Sequence, residues 1–174
     1  MMNQTSATTG SNGHYYVANY WAPNSRQGNY LREYMLVEFD GEHWFVHQVT
    51  HRKPENANER IPESRLKKFR MSRPIVLTDP ENRVLVVFSD HQRSGVVTVA
   101  YSEDAARDKW TFVDLTDENM GLWEPMYDLA RWNADGVLSM YYQPSGLGSR
   151  AASASVLEWD ARGYFAAVSG KAAK

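Results

Sequence analysis

Five histidines, at positions 14, 43, 47, 51 and 91, and a scatter of arginines carry most of the chemistry this sequence could perform. His43, His47 and His51 recur every fourth residue, a spacing that would align three imidazoles for zinc on a helix. The segment HWFVHQVT at 43–50, which His51 directly follows, alternates like a strand, and a strand sets its ends too far apart for one metal ion. No metal site is expected. Cysteine is absent, which removes disulfides, thiolate ligands and cysteine nucleophiles. GxSxG, P-loop and GxGxxG patterns are also missing, so serine hydrolysis, nucleotide hydrolysis and dinucleotide chemistry have no support and no cofactor is expected. The residues that remain are Arg26, His51, Arg52, Lys53, Arg73, His91, Arg93 and Arg150, with Trp123 and Glu124. Guanidinium groups grip carboxylates or sulfates bidentately and aromatic rings stack on sugars, so such a set suits an anionic glycan.

These side chains act together only if the fold brings them together. The 174 residues are 43% hydrophobic and 23% charged, ordinary for a globular chain, and the net charge of -2 gives no basic field for nucleic acid. No run of about eighteen apolar residues spans a membrane, and MMNQTSATTGSNG lacks the features of a signal peptide. Aromatic residues reach 13%, with 6 Trp and 10 Tyr, which points to sheets or carbohydrate surfaces. Short β-rich runs bounded by Gly, Pro, Asn and Asp fill the chain: 14–21, 32–39, 43–50, 73–78, 83–89, 95–102, 109–116, 124–132 (EPMYDLARW), 136–143 and 153–159. Apart from one helical turn near 63–69, no capped helix with a 3.6-residue stripe stands out.

The runs repeat at intervals of roughly 50 residues, the period of four-stranded propeller blades. Trp44 and Thr50 are echoed by Trp110 and Thr116, each pair following an aromatic-ended strand and an acidic turn. The reading is therefore all-β: about three four-stranded antiparallel blades of a β-propeller, near 14–50, 71–116 and 124–165. The partial propeller covers 14–160 and includes a long linker at 51–70, with a flexible tail at 1–13 and another at 161–174. The first blade is expected to lack its first strand. The turn SEDAARDKW resembles the Asp-box of sialidase-like propellers through Ser102, Asp104 and Trp110, without the glycine and with the tryptophan one residue late.

Blade topology then sorts charge. The loops between second and third strands, together with the interblade linkers, gather the cationic set above on one edge. The remaining turns carry Asp40, Glu42, Asp79, Glu81, Glu103, Asp104, Asp108, Asp135 and Asp160 to the other. About three blades fall short of the four to eight of a closed ring. The ring is expected to be incomplete, as a segment of about seven blades or as copies that associate through exposed blade edges, with the first favoured.

The runs HYYVANYW, EYMLVEFDGEHWFVHQVTHR, RMSRPIVLTDPENRVLVVFSDHQRSGVVTVAYSED, GLWEPMYDLARWNADGVLSMYYQ and VLEWD resemble the C-terminal part of BNR-repeat proteins. That family includes seven-bladed propeller lyases of ulvan and related uronic-acid polymers. The resemblance implies β-elimination: a cation neutralises the uronate carboxylate, a base removes the C5 proton and an acid protonates the leaving oxygen. On the predicted edge it implies Arg73, His51 and Tyr127 as catalytic residues, and Arg93, His91, Trp123, Glu124 and Arg150 as substrate-binding ones. It also implies an acidic polysaccharide as partner and a secreted or periplasmic location. The other readings of the same edge are a glycan-binding module without turnover and an assembly piece.

Overall fold

The computed structural model describes residues 6–27, 31–53, 70–144 and 153–172. Four strands, β1 (Ala7–Thr9), β2 (Tyr15–Trp21), β3 (Glu33–Phe39) and β4 (Trp44–Gln48), pair in chain order as an antiparallel meander. A second meander of the same kind consists of β5 (Ile75–Thr78), β6 (Val84–Ser89), β7 (Val97–Ser102) and β8 (Thr111–Asp114). Farther on, β9 (Val137–Tyr142) and β10 (Ser155–Asp160) form a two-stranded antiparallel pair flanked by helices α1 (Leu129–Asp135) and α2 (Ala161–Ala172). The protein is thus mostly β, with little helix, and the sheets do not close on one another.

Side chains alternate across a strand, and the second sheet uses both of its faces. Val76, Val84, Val86, Phe88 and Ala100 point toward the first sheet, where Tyr16, Ala18, Tyr34, Leu36 and Val49 meet them. Ile75, Leu77, Leu85, Val87, Val97, Val99 and Tyr101 point the other way, onto Trp123, Trp132, Leu138, Met140 and Phe165. Every residue of β6 and β7 is therefore buried, which explains why both are rich in apolar and β-branched residues on either face. Tyr34 and Phe88 stack at 4.0 Å across the first of these interfaces. The first strands lie together: β1 sits beside β5, Ser6 Oγ donates to Pro74 O at 3.2 Å, and Thr78 Oγ1 donates to Thr9 O at 3.2 Å.

One turn locks the first two layers. Arg107, in the Asp-box-like turn, is buried and adopts a left-handed φ of 53°, which costs a non-glycine residue about 1 kcal/mol. Its guanidinium donates to Asp104 O at 2.6 Å, Asn82 O at 3.2 Å and Tyr16 OH at 3.4 Å, and its Nε faces Glu38 Oε2 at 3.8 Å. Those bonds satisfy carbonyls that would otherwise be stranded away from water.

Three parts of the sequence reading change. Within the expected tail at 1–13, residues 7–9 supply the strand expected to be missing, paired Ala7 with Val17, Thr8 with Tyr16 and Thr9 with Tyr15. The expected strand at 124–132 keeps only the bridge between Tyr127 and Met140, because Asp128 caps α1 by accepting the Arg131 N–H at 3.0 Å. Gly136 ends that helix with φ 68°. The expected tail at 161–174 holds α2, entered through Asp160, whose carboxylate accepts the Gly163 N–H at 2.8 Å. Phe165 on α2 meets Tyr101 edge to face at 4.9 Å, and the Arg83 guanidinium lies over its ring. The third layer is accordingly a hairpin with two helices and not a four-stranded sheet. Of the linker at 51–70, residues 54–69 lie outside the described residues.

Candidate functional site

Antiparallel meanders send alternate connections to opposite ends of the strands. The ends of β4, β6 and β8 and the starts of β5 and β7 therefore share one edge, where His51, Arg52, Arg73, His91, Arg93 and Glu124 collect. Arg150 lies outside the described residues.

Most cations on this edge are already matched. Arg52 is buried and holds Asp90, with Nη2 3.1 Å from Oδ1 and Nε 2.9 Å from Oδ2. Asp90 also accepts the Gln92 N–H at 2.9 Å, which caps the short 3-10 turn His91–Arg93. Arg93 pairs with Asp114, its Nη2 donating to Oδ1 and Oδ2 at 2.8 and 2.9 Å and its Nε to Oδ1 at 3.2 Å, while lying over the Phe112 ring. Arg70 donates to Glu124 Oε1 at 2.5 Å and to Gly121 O at 2.8 Å, tying the second layer to the third. The remaining oxygen of Glu124 accepts the backbone N–H of Arg73 at 2.6 Å. The Arg73 side chain is exposed, and among the described residues its guanidinium has no partner.

A seam of polar groups runs beneath these pairs. Glu33 is buried; its carboxylate accepts the Thr50 hydroxyl at 2.7 Å and the Arg52 N–H at 3.0 Å. Burial pushes the Glu33 carboxyl above its ordinary value, against the pull of those hydrogen bonds. Tyr34 donates its hydroxyl to Ser72 O at 2.9 Å and Ser89 O at 3.1 Å, and burial, followed by nearby Asp90, raises its phenol well above normal. The seam ties the ends of β3 and β4 to the backbone around Ser72 and Ser89.

The residues singled out from the sequence separate on this scaffold. His51 is exposed just past β4 and accepts at Nδ1 from the Gln48 amide at 3.1 Å. His91 is exposed, and its backbone N–H donates to Arg70 O at 3.0 Å. Trp123, expected to stack on sugar, is buried in the core and donates its indole N–H to Tyr141 O at 2.8 Å. Tyr127 packs half-buried against the same core, beside Met140, and burial raises its phenol. Arg73 and Glu124 are brought together, whereas Tyr127 belongs to the third layer and His51 to the end of the first. Sequence reading missed Arg70, because its carboxylate partner is 54 positions away. It also missed Arg107, whose role depends on φ.

Fold and edge together define a mostly β protein of stacked four-stranded antiparallel sheets with a polar, partly cationic loop edge. No family profile and no curated protein matches the chain. Among solved structures it is similar to the crystal structure of a protein of unknown function from Dyadobacter fermentans, with a TM-score of 0.52 at 16% identity. That superposition covers 89% of this chain and 37% of the other, so this chain spans little more than a third of its neighbour's length. At such identity the likeness concerns fold alone.

Proposed function

We propose that this chain is part of a β-propeller of the BNR-repeat kind whose loop edge binds an acidic polysaccharide, recognising its carboxylates or sulfates. The observation that carries this reading is Arg73: an exposed guanidinium without a partner among the described residues, on a backbone that Glu124 holds in place. Its neighbours Arg52, Arg70 and Arg93 are committed to carboxylates and build the edge. Two stacked four-stranded meanders with β1 beside β5 support the propeller part of the reading, since neighbouring blades meet at their first strands around the axis.

A second, catalytic reading is the β-elimination that the resemblance to uronic-acid lyases implies. In that β-elimination Arg73 takes the uronate carboxylate and His51, once its Nδ1 exchanges the Gln48 amide for substrate, accepts the C5 proton there. The electron pair forms the C4–C5 double bond, and Tyr127 protonates the departing oxygen. Incubation with a panel of uronic-acid and sulfated polymers decides between the readings. Retention without unsaturated product supports the binding edge, ultraviolet-absorbing unsaturated product supports β-elimination, and neither result across the panel overturns both.

A further inference from the structure

A cavity of about 500 Å³ opens at the end of the second sheet opposite Arg73, where that sheet meets the two helices. The β5–β6 turn forms one wall, the C-terminal end of α1 a second and the first two turns of α2 a third. Its volume is that of sites for small organic molecules. The deep part is apolar: Trp132 and Phe165 are buried there, and the indole N–H of Trp132 already donates to Thr78 O at 3.0 Å. Charge on the turn wall is matched within the turn. Asp79 accepts the backbone N–H groups of Glu81 and Arg83 at 3.0 and 2.9 Å and pairs with Arg83 Nε at 2.5 Å. Arg83 also donates to Glu81 at 3.0 Å and lies over the Phe165 ring. The α2 wall differs. Asp160 takes the Gly163 N–H in the first turn, whereas the exposed Arg162 guanidinium has no acceptor among the described residues. Arg162 runs along the cavity rim against Gly136, where an added Cβ would stand 3.3 Å from its Nε.

We propose that this cavity binds a small monocarboxylate with an apolar body, Trp132 and Phe165 receiving the body and Arg162 the carboxylate. Arg162 is the unmatched cation that such a ligand requires, and its planar fork suits a carboxylate. A second negative charge at the far end of the ligand would face Asp79 and Glu81, which share the single guanidinium of Arg83. Like charges repel, so the site selects a single charge and disfavours a polyanion such as the polysaccharide proposed for the opposite edge. Because the walls come from the second and third layers, an occupant also joins those layers and raises the melting temperature.

Isothermal titration calorimetry of the whole chain with 2-naphthoate tests the site, with 2-naphthamide as the uncharged match and naphthalene-2,6-dicarboxylate as the dianion. One naphthoate is expected per chain, and the amide and the dianion are each expected to bind at least about tenfold more weakly, as loss of a charge-assisted hydrogen bond does. Arg162→Gln should weaken naphthoate by the same factor and leave the amide unchanged. Ala166→Trp, which fills the cavity from α2, should remove both; circular dichroism reports whether it folds, and if it does not, Arg162→Gln decides alone. Arg73→Ala on the loop edge and Trp44→Lys on the exposed outer face of the first sheet should leave naphthoate binding unchanged. No naphthoate binding at millimolar concentration overturns the proposal, as does binding that survives a folded Ala166→Trp or falls with Trp44→Lys. Acid and amide bound equally, or Arg162→Gln without effect, overturns Arg162 as the partner of the carboxylate. A dianion bound as well as the monoacid overturns the preference for a single charge. Polysaccharide retention is measured separately, so either proposal can fail alone.

Discussion

Arg70 and Glu124 join the second layer to the third through a 2.5 Å guanidinium–carboxylate bond, and the second oxygen of that carboxylate fixes the Arg73 backbone. The pair is partly exposed, which screens it, but each partner also bonds backbone. A double-mutant cycle of Arg70→Ala and Glu124→Ala, read by urea denaturation, is expected to give a coupling of about 1 kcal/mol. Additive losses would show that the two side chains act independently and that the edge is held by other contacts.

Arg107 is expected to matter more to stability, because its guanidinium is buried among carbonyl oxygens. Arg107→Lys removes the planar fork and should cost about 3 kcal/mol, within the range for breaking buried charged networks. Arg107→Gly separates two causes, since it relieves the left-handed φ of 53° while also leaving the carbonyls bare. Destabilisation of the glycine variant confirms the guanidinium as the main contributor. A glycine variant as stable as wild type would show that backbone strain cancels everything the side chain contributes.

Glu33 gives the fold an unusual pH response. Burial raises its carboxyl above the ordinary 4.5, so between the unfolded and folded values the native state binds more protons. Its contribution is therefore complete below about 4.5 and declines as pH rises through the folded value, opposite to an acid stabilised by an ion pair. Glu33→Gln mimics the protonated form. Its stability relative to wild type should improve between pH 4 and pH 7, measured as the difference in urea midpoint. Parallel midpoints across that range would mean that the hydrogen bonds from Thr50 and Arg52 fully offset the burial.

What the sequence revealed depended on how far each signal reached along the chain. Short apolar, β-branched runs between turn residues exposed β6 and β7, because their neighbours on both faces demand apolar side chains. β1 escaped because three small residues, Ala7 to Thr9, pair through backbone alone and carry no apolar pattern. α1 is short and buries only Trp132, so no stripe announced it; the local signals were Asp128 at its start and Gly136 at its end. That the loops carrying His51, Arg73, His91 and Arg93 leave the sheets at one edge follows from strand order in an antiparallel meander. The pairing of Arg93 and of neighbouring Arg52 with carboxylates was not legible, since Asp114 lies 21 positions from Arg93 and Asp90 lies 38 from Arg52.

That contrast yields the sharpest test of the binding edge. Arg73 and Arg93 have the same charge and occupy the same edge, but only Arg93 is committed to a carboxylate. Arg73→Ala breaks no side-chain bond among the described residues, so its unfolding free energy should stay within the scatter of ordinary surface changes, about 0.5 kcal/mol. If its guanidinium holds a ligand carboxylate, retention on an acidic polysaccharide should fall about tenfold or more, the loss of roughly 1.5–3 kcal/mol expected for a charge-assisted hydrogen bond. Arg93→Ala should do the reverse: it leaves Asp114 with the Thr98 hydroxyl alone, lowers stability by about 1 kcal/mol and leaves an unneutralised carboxylate near the site. Retention in that variant should fall less at high salt than at low salt, because screening weakens the new repulsion. Equal losses of retention in both variants, each removed by salt, would place the anion in a diffuse field instead of on Arg73.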